Sequence, residues 1–185
     1  MRCFIAINLD LSVKANIRDF IQNKVSQNFK GIRWVKPENL HITLAFLGEI
    51  TTEQASSIKK VLESILAKHE SFPIELSGIG FFPNRKNPKV FWIGIKEQPK
   101  LLKLKHDIDK CLTECNIYFD KKPFSPHLTI GRIKSPLKIE SEIVEALDFK
   151  ASFLVTEFFL IKSDLFSDGP VYSDLYRFEF GKFLI

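Results

Sequence analysis

What this 185-residue sequence has little of is cysteine and histidine, with three of the first and four of the second. Cys3, Cys111 and Cys115 are an odd number with no ligand-like spacing to histidine, so neither a disulfide framework nor a zinc knuckle is supported, and a reducing compartment fits. No apolar run approaches the roughly 18 residues that span a bilayer. The opening Met1 to Asp10 is too short and too soon acidic for a signal peptide, so a mature, cytoplasmic start is the expectation. A glycine-rich phosphate loop is missing, as is any low-complexity linker. With 45% hydrophobic and 26% charged residues the chain falls outside the disordered classes. At this length a chain buries roughly 70% of its unfolded surface, enough for a core without disulfides or a structural metal. The net charge of +5 favours anionic partners without naming one.

Residues 2–9 have the pattern of a buried strand, and Val13, Ile17, Phe20, Ile21 and Val25 recur at helical spacing within about 12–29. Extended residues 32–35, a turn at 37–39 and a strand at 41–47 follow, closed by Gly48. Thr51 and Gln54 form a capping box that predicts a helix to about His69. Strands at 73–82 and 89–96 are joined by a basic turn, Pro83 to Pro88, as in a hairpin. Pro99 starts a helix whose buried stripe comprises Leu101, Leu104, Ile108, Cys111 and Cys115. A strand at 127–133, a short helix at about 139–147, and two long strands at about 151–162 and 174–183, flanking a turn at 167–170, complete the chain. Without a regular βαβ alternation, the class is α+β with largely antiparallel sheets.

One short pattern occurs twice. Leu40-His41-Ile42-Thr43-Leu44-Ala45 and Pro126-His127-Leu128-Thr129-Ile130-Gly131 both run His, aliphatic, Thr, aliphatic, small, with the histidines 86 residues apart. Side chains alternate along a strand, so in each copy His and Thr share one face and the aliphatics back it with core. The small residue two beyond each threonine is expected to leave room for a ligand on the polar face. The other histidines have structural explanations. His69 falls in the last turn of its helix, where the dipole favours it, and His106 lies off the apolar stripe, in solvent.

Two histidines and two hydroxyls without a nearby carboxylate or thiol lack the third and fourth ligands of a metal site, and no metal is assigned. No local signature marks a serine or cysteine nucleophile. Two imidazoles across a cleft suit general acid and base catalysis near neutral pH, one accepting a proton while the other donates. Threonine hydroxyls beside them can hydrogen-bond phosphate oxygens, so the chemistry points to phosphodiesters.

These residues resemble the 2H phosphoesterase superfamily, and within it the bacterial RNA 2′,3′-cyclic phosphodiesterase (2′-5′ RNA ligase) family. The likeness extends over almost the whole chain, through RCFIAINL, WVKPENL leading into HITLAFLGE, HLTIGR and the late Gly169-Pro170-Val171-Tyr172. The resemblance implies a single bilobal domain over residues 1–185, an α+β fold in which two pseudo-symmetric antiparallel sheets with outer helices surround a central cleft. It implies metal-independent hydrolysis of RNA 2′,3′-cyclic phosphate ends to 2′-phosphates, with reversible 2′-5′ ligation by the same residues and no cofactor.

By the same resemblance His127 accepts a proton from water, His41 protonates the leaving 3′ oxygen, and Thr43 and Thr129 hold the phosphoryl oxygens. The sequence alone leaves open which histidine is acid and which base, because the pair is near-symmetric and coupled. Arg132 is expected to contact the phosphate or the base, its alternative being a surface arginine at a strand end. Phe46 is expected to stack on the terminal base. Strict alternation puts it opposite His41, so that role needs a bulge, and a core phenylalanine is the alternative. Tyr172 is a further candidate for the cleft wall, and the basic loop 85–89 and Lys121-Lys122 for tracking RNA. The implied partners are RNA ends or nucleotides bearing a 2′,3′-cyclic phosphate, with no membrane and no obligate protein partner, the chain acting as a monomer. Two other readings stand beside this one: a non-catalytic RNA or nucleotide-binding module, and a 2H phosphodiesterase for another small cyclic nucleotide.

Overall fold

The computed structural model describes residues 1–134 and 136–181. Among these residues the strands are β1 (Arg2–Asn8), β2 (Ile32–Trp34), β3 (His41–Glu49), β4 (Phe72–Phe82), β5 (Val90–Ile95), β6 (His127–Ile133), β7 (Lys150–Val155), β8 (Glu157–Phe166) and β9 (Gly169–Glu179). The helices are α1 (Leu11–Phe20), α2 (Thr52–Glu63), α3 (Pro99–Glu114) and α4 (Ser141–Ala146). Every strand pairing is antiparallel. A four-stranded sheet has the order β3-β1-β8-β9 and a five-stranded sheet the order β2-β6-β5-β4-β7, so the class is α+β as expected. No described helix is long and apolar enough to cross a membrane.

Local chemistry accounts for the starts of α2 and α3. Thr51 Oγ1 accepts from the Gln54 N–H at 3.2 Å while the Thr51 N–H donates to Gln54 Oε1 at 2.9 Å, closing the predicted capping box on α2. Pro99 sits in the first turn of α3, where its missing N–H costs nothing. The first helix widens after Phe20 into a π turn over Ile21–Val25, with the Ser26 N–H reaching the Ile21 carbonyl at 2.8 Å.

Some expectations need correction. Helix α2 ends at Glu63 and a 3-10 turn over Leu66–Lys68 follows, so His69 is not in a helical last turn. It is buried, with Nε2 3.0 Å from Asp107 Oδ2, and this partner rather than a dipole accounts for it. His106 is exposed, as read. On α3 Cys111 is buried, whereas Cys115 lies at the C-cap and is only partly covered. The long strand at 151–162 is interrupted at Thr156. Its first part, β7, joins the five-stranded sheet beside β4, and its second part, β8, crosses to the four-stranded sheet between β1 and β9. The turn before the last strand shrinks to Ser167-Asp168, because Gly169 at φ 135° already pairs with Phe166. That strand ends at Glu179, and the expected reach to Phe183 lies outside the described residues.

Strand order also shows that the two sheets are not the two halves of the chain. The four-stranded sheet takes β1 and β3 from the beginning and β8 and β9 from the end, while β2, from early in the chain, pairs with β6 in the other sheet. The main core lies behind both sheets. It continues from Ile5, Ile42 and Leu44 to Phe91, Leu128 and Ile130, all at most 2% exposed.

Candidate active site

Both His-x-Thr pairs lie on strands, one per sheet, and in both copies the polar residues are partly exposed while the intervening aliphatics are buried: Ile42 and Leu128 are 0% exposed, Leu44 2% and Ile130 0%. The likeness extends to hydrogen bonding. His41 Nδ1 is 2.7 Å from the Asn39 carbonyl and His127 Nδ1 is 2.7 Å from the Ser125 carbonyl, each two residues back. A carbonyl only accepts, so in both rings Nδ1 carries a proton and donates it, leaving Nε2 as the nitrogen that exchanges protons with a ligand.

Immediately after each threonine the strand gains one residue. Ile5 pairs with Ala45 and Ala6 with Thr43, leaving Leu44 as an extra residue in β3. Phe91 pairs with Gly131 and Trp92 with Thr129, leaving Ile130 extra in β6. A one-residue bulge reverses the facing of everything beyond it. Phe46 therefore returns to the His41 face, in register with Phe4, and Arg132 returns to the His127 face, in register with Val90. The bulge that Phe46 required is present, and at 50% exposed Phe46 is not a core residue.

The same bulges overturn the expected role of the two small residues. Ala45 is turned into the core and is 3% exposed. A Cβ on Gly131 would lie 2.6 Å from Ile32 Cγ2 and 3.1 Å from the Trp34 ring, so its missing side chain makes room for β2 rather than for a ligand.

Aromatic rings complete the walls. Phe4 lies 4.8 Å from the His41 ring, Tyr172 meets His41 edge-on at 5.3 Å, and Phe82 meets His127 edge-on at 4.9 Å. Tyr172 thus takes the wall position expected of it. Phe4, Ala6, Phe159 and Ile161 form a small apolar floor beneath, separate from the main core. The sequence pattern does not reveal Phe4 and Phe82, since an aromatic residue in an apolar strand carries no mark of its face. Of the basic segments, the Asp120 N–H bonds the Phe46 carbonyl at 2.9 Å, which holds the loop carrying Lys121 and Lys122 beside Phe46. The segment 83–89 joins β4 to β5 and ends beside Arg132, where the Ile133 N–H donates to the Lys89 carbonyl at 2.9 Å.

Burial holds the His41 imidazole far below its ordinary range, at about 4; the Asn39 carbonyl opposes this, and the cations Arg132 and Lys14 and the facing His127 add to it. Arg132 and His127, both on β6, thus lie near enough to His41 on β3 for their charges to act on it. Removing Lys14 takes away a charge that opposes the imidazolium, so Lys14→Met is expected to raise the His41 midpoint above about 4 in an NMR titration of the ring. A wild-type midpoint near the ordinary value, or no shift in the variant, would contradict this. Because the unfolded chain binds the proton more readily, the stability tied to His41 is complete above the ordinary histidine range and is lost as pH falls toward 4.

Among the described residues no three His, Cys, Asp or Glu side chains come together as a metal site would require. A cavity of about 350 Å³ opens beside His41, lined among others by Asn8, Lys14, Lys36, Asn39 and Tyr172. Chemically, two imidazoles that each keep Nε2 unbonded among the described residues are able to exchange protons, and the threonine hydroxyls and the guanidinium on the same faces are able to donate to an anion.

Comparison with known proteins agrees with this chemistry. The model of the 2′-5′ RNA ligase superfamily matches residues 16–165. The chain is 34% identical over 181 residues to the RNA 2′,3′-cyclic phosphodiesterase of Thermotoga maritima, covering 97% of this chain and 96% of that one. It is 35% identical to the protein of the same name from Archaeoglobus fulgidus, covering 97% and 100%. A solved protein of Thermus thermophilus superposes with a TM-score of 0.84 at 31% identity over 97% of each chain. Escherichia coli LigT complexed with 3′-AMP superposes with a TM-score of 0.78 at 25% identity, again over 97% of each chain.

Proposed function

Because this chain belongs to the 2′-5′ RNA ligase superfamily, we propose that it opens 2′,3′-cyclic phosphates at RNA ends to 2′-phosphates, with His41 and His127 as the acid and base. The observation that carries the reading is the duplicated geometry: two histidines, one on each sheet, each with Nδ1 pinned to the carbonyl two residues back and each followed by a threonine on the same face.

In this reading a water oxygen attacks phosphorus and its proton passes to His127 Nε2. The bond from phosphorus to the 3′ oxygen breaks, and that oxygen takes a proton from His41 Nε2, leaving a 2′-phosphate. The hydroxyls of Thr43 and Thr129 and the guanidinium of Arg132 donate to the non-bridging oxygens, whose charge grows in the transition state. Phe46 stacks on the terminal base. In the free protein His41 is neutral at pH 7, so it takes up its proton as the anionic phosphate arrives and offsets Arg132 and Lys14. Exchanging water for an RNA 5′ hydroxyl gives 2′-5′ ligation with the same residues in the same roles. The chain then acts as one bilobal unit over 1–185 with its catalytic pair at the seam.

The test is phosphorus NMR of the product formed from an oligonucleotide ending in a 2′,3′-cyclic phosphate, in the presence of EDTA. A 2′-phosphate formed at an undiminished rate is expected. A 3′-phosphate would mean that the other ester bond breaks, and loss of activity with EDTA would mean that a metal supplies the chemistry. Tight binding without turnover would identify a binding module instead.

A further inference from the structure

The cavity is lined in part by His41, and of its lining the steps above use only that ring and the charge of Lys14. It opens at the start of β3, against Asn8 at the end of β1 and Lys14 in α1. The cavity's lining does not include Phe46, whose ring lies 6.3 Å from Phe4, itself 4.8 Å from His41. Its outer wall is the tip of the β8–β9 hairpin, tied down where Asn39 Nδ2 donates to the Pro170 carbonyl at 2.9 Å and Lys36 meets Asp168 at 3.4 Å.

The lining is mixed rather than cationic. Lys14 and Lys36 are balanced by Glu38 and Asp174, so the cavity does not select an anion on charge alone. It offers amide donors and acceptors together with apolar surface from Ile161 and Val171, the composition that suits a nucleoside. Lys14 is half-buried, and the one hydrogen bond of its ammonium among the described residues, to the Glu38 carbonyl, is long at 3.4 Å. Burial lowers its proton affinity, with Asp174 and Glu38 opposing, as befits an ammonium short of partners.

Ribose chemistry gives the cavity an occupant. In a 2′,3′-cyclic phosphate the base hangs from C1′, next to C2′, and the chain continues from C4′, next to C3′. A base over Phe46 therefore sends C5′ the opposite way along the cleft, toward His41. The 3′ oxygen that His41 protonates lies on that same side of the ring. We infer that the cavity receives the nucleotide immediately 5′ of the cyclic end, with the linking phosphodiester at Lys14, and so adds contacts that a free cyclic mononucleotide lacks. This rests on the reading of His41 and Phe46 given above.

The experiment compares a dinucleotide ending in a 2′,3′-cyclic phosphate with the corresponding cyclic mononucleotide, by kcat/KM. In parallel, calorimetry compares the affinities of the dinucleotide 2′-phosphate and the nucleoside 2′-phosphate. One charge-assisted contact and one set of nucleoside contacts give an expected advantage of about tenfold for the dinucleotide in both assays. Lys14→Met, which keeps the stem, and Val171→Trp, which fills the mouth from a position 49% exposed, should each bring the ratio toward one. Damage to His41 would lower both substrates and cancel in the ratio. Equal values in the wild-type protein, or an advantage that survives both substitutions, would overturn the inference. A binding advantage lost in the variants, with neither substrate turned over, would uphold the cavity's role and overturn the phosphodiesterase reading instead.

Discussion

His41→Ala and His127→Ala are each expected to lower kcat for opening a 2′,3′-cyclic phosphate by about 10² to 10⁴, the contribution of a positioned acid or base. Both rings fit the role because each Nδ1 is held by a carbonyl at 2.7 Å, which fixes the tautomer and leaves Nε2 for proton transfer. The two losses should not multiply. Once either proton transfer is missing the other has little left to assist, so the double variant is expected close to the worse single one. Steady-state kinetics on a cyclic-phosphate oligonucleotide read the effect, and unchanged affinity for a 2′-phosphorylated product shows that the cleft is intact. Activity within a few-fold of wild type in either variant would end the two-histidine mechanism.

Thr43→Val and Thr129→Val are expected to cost about 10² each in kcat, with little change in KM, as is typical when a donor to a developing oxyanion is removed. Among the described residues neither hydroxyl bonds another protein group, so neither is committed to holding the fold. Valine keeps the shape and the preference for a strand, which leaves loss of the donor as the change being measured. A rise in KM at constant kcat would show that the hydroxyls bind ground state and transition state alike. Similar melting temperatures for the variants and the wild type would complete the comparison.

The site was legible in the sequence to the extent that it is local. Two residues apart on a strand means one face, so His41 with Thr43 and His127 with Thr129 could be paired from spacing. The capping box at Thr51 and the proline at the start of α3 are equally short-range. What was not legible depends on backbone register between distant segments. The bulges at Leu44 and Ile130 exist because of how β3 meets β1 and β6 meets β5, and nothing in either pentapeptide announces them. That is why simple alternation puts Ala45 and Gly131 on the wrong face and makes the place of Phe46 conditional on a bulge. The break at Thr156 was hidden for a related reason. Residues 158–161 are all buried because β8 lies between the core and the cleft floor, so the alternation that would mark a new strand is lost. Lys14 reaches the site from α1, and no local pattern in that helix places it near His41.

The placement of β8 between β1 and β9 also orders events during synthesis. Cys3 pairs with Lys162 and Ala6 with Phe159, so one edge of β1 has no strand to bond until the ribosome has released the chain past residue 162. By then both His-x-Thr strands have been made, and β3 can already have paired with β1. A nascent or truncated chain thus carries the catalytic residues on a sheet with a bare, strongly apolar edge, which is a template for pairing with other chains. Closure of that edge by β8, itself covered by β9, both completes the cleft and removes the hazard.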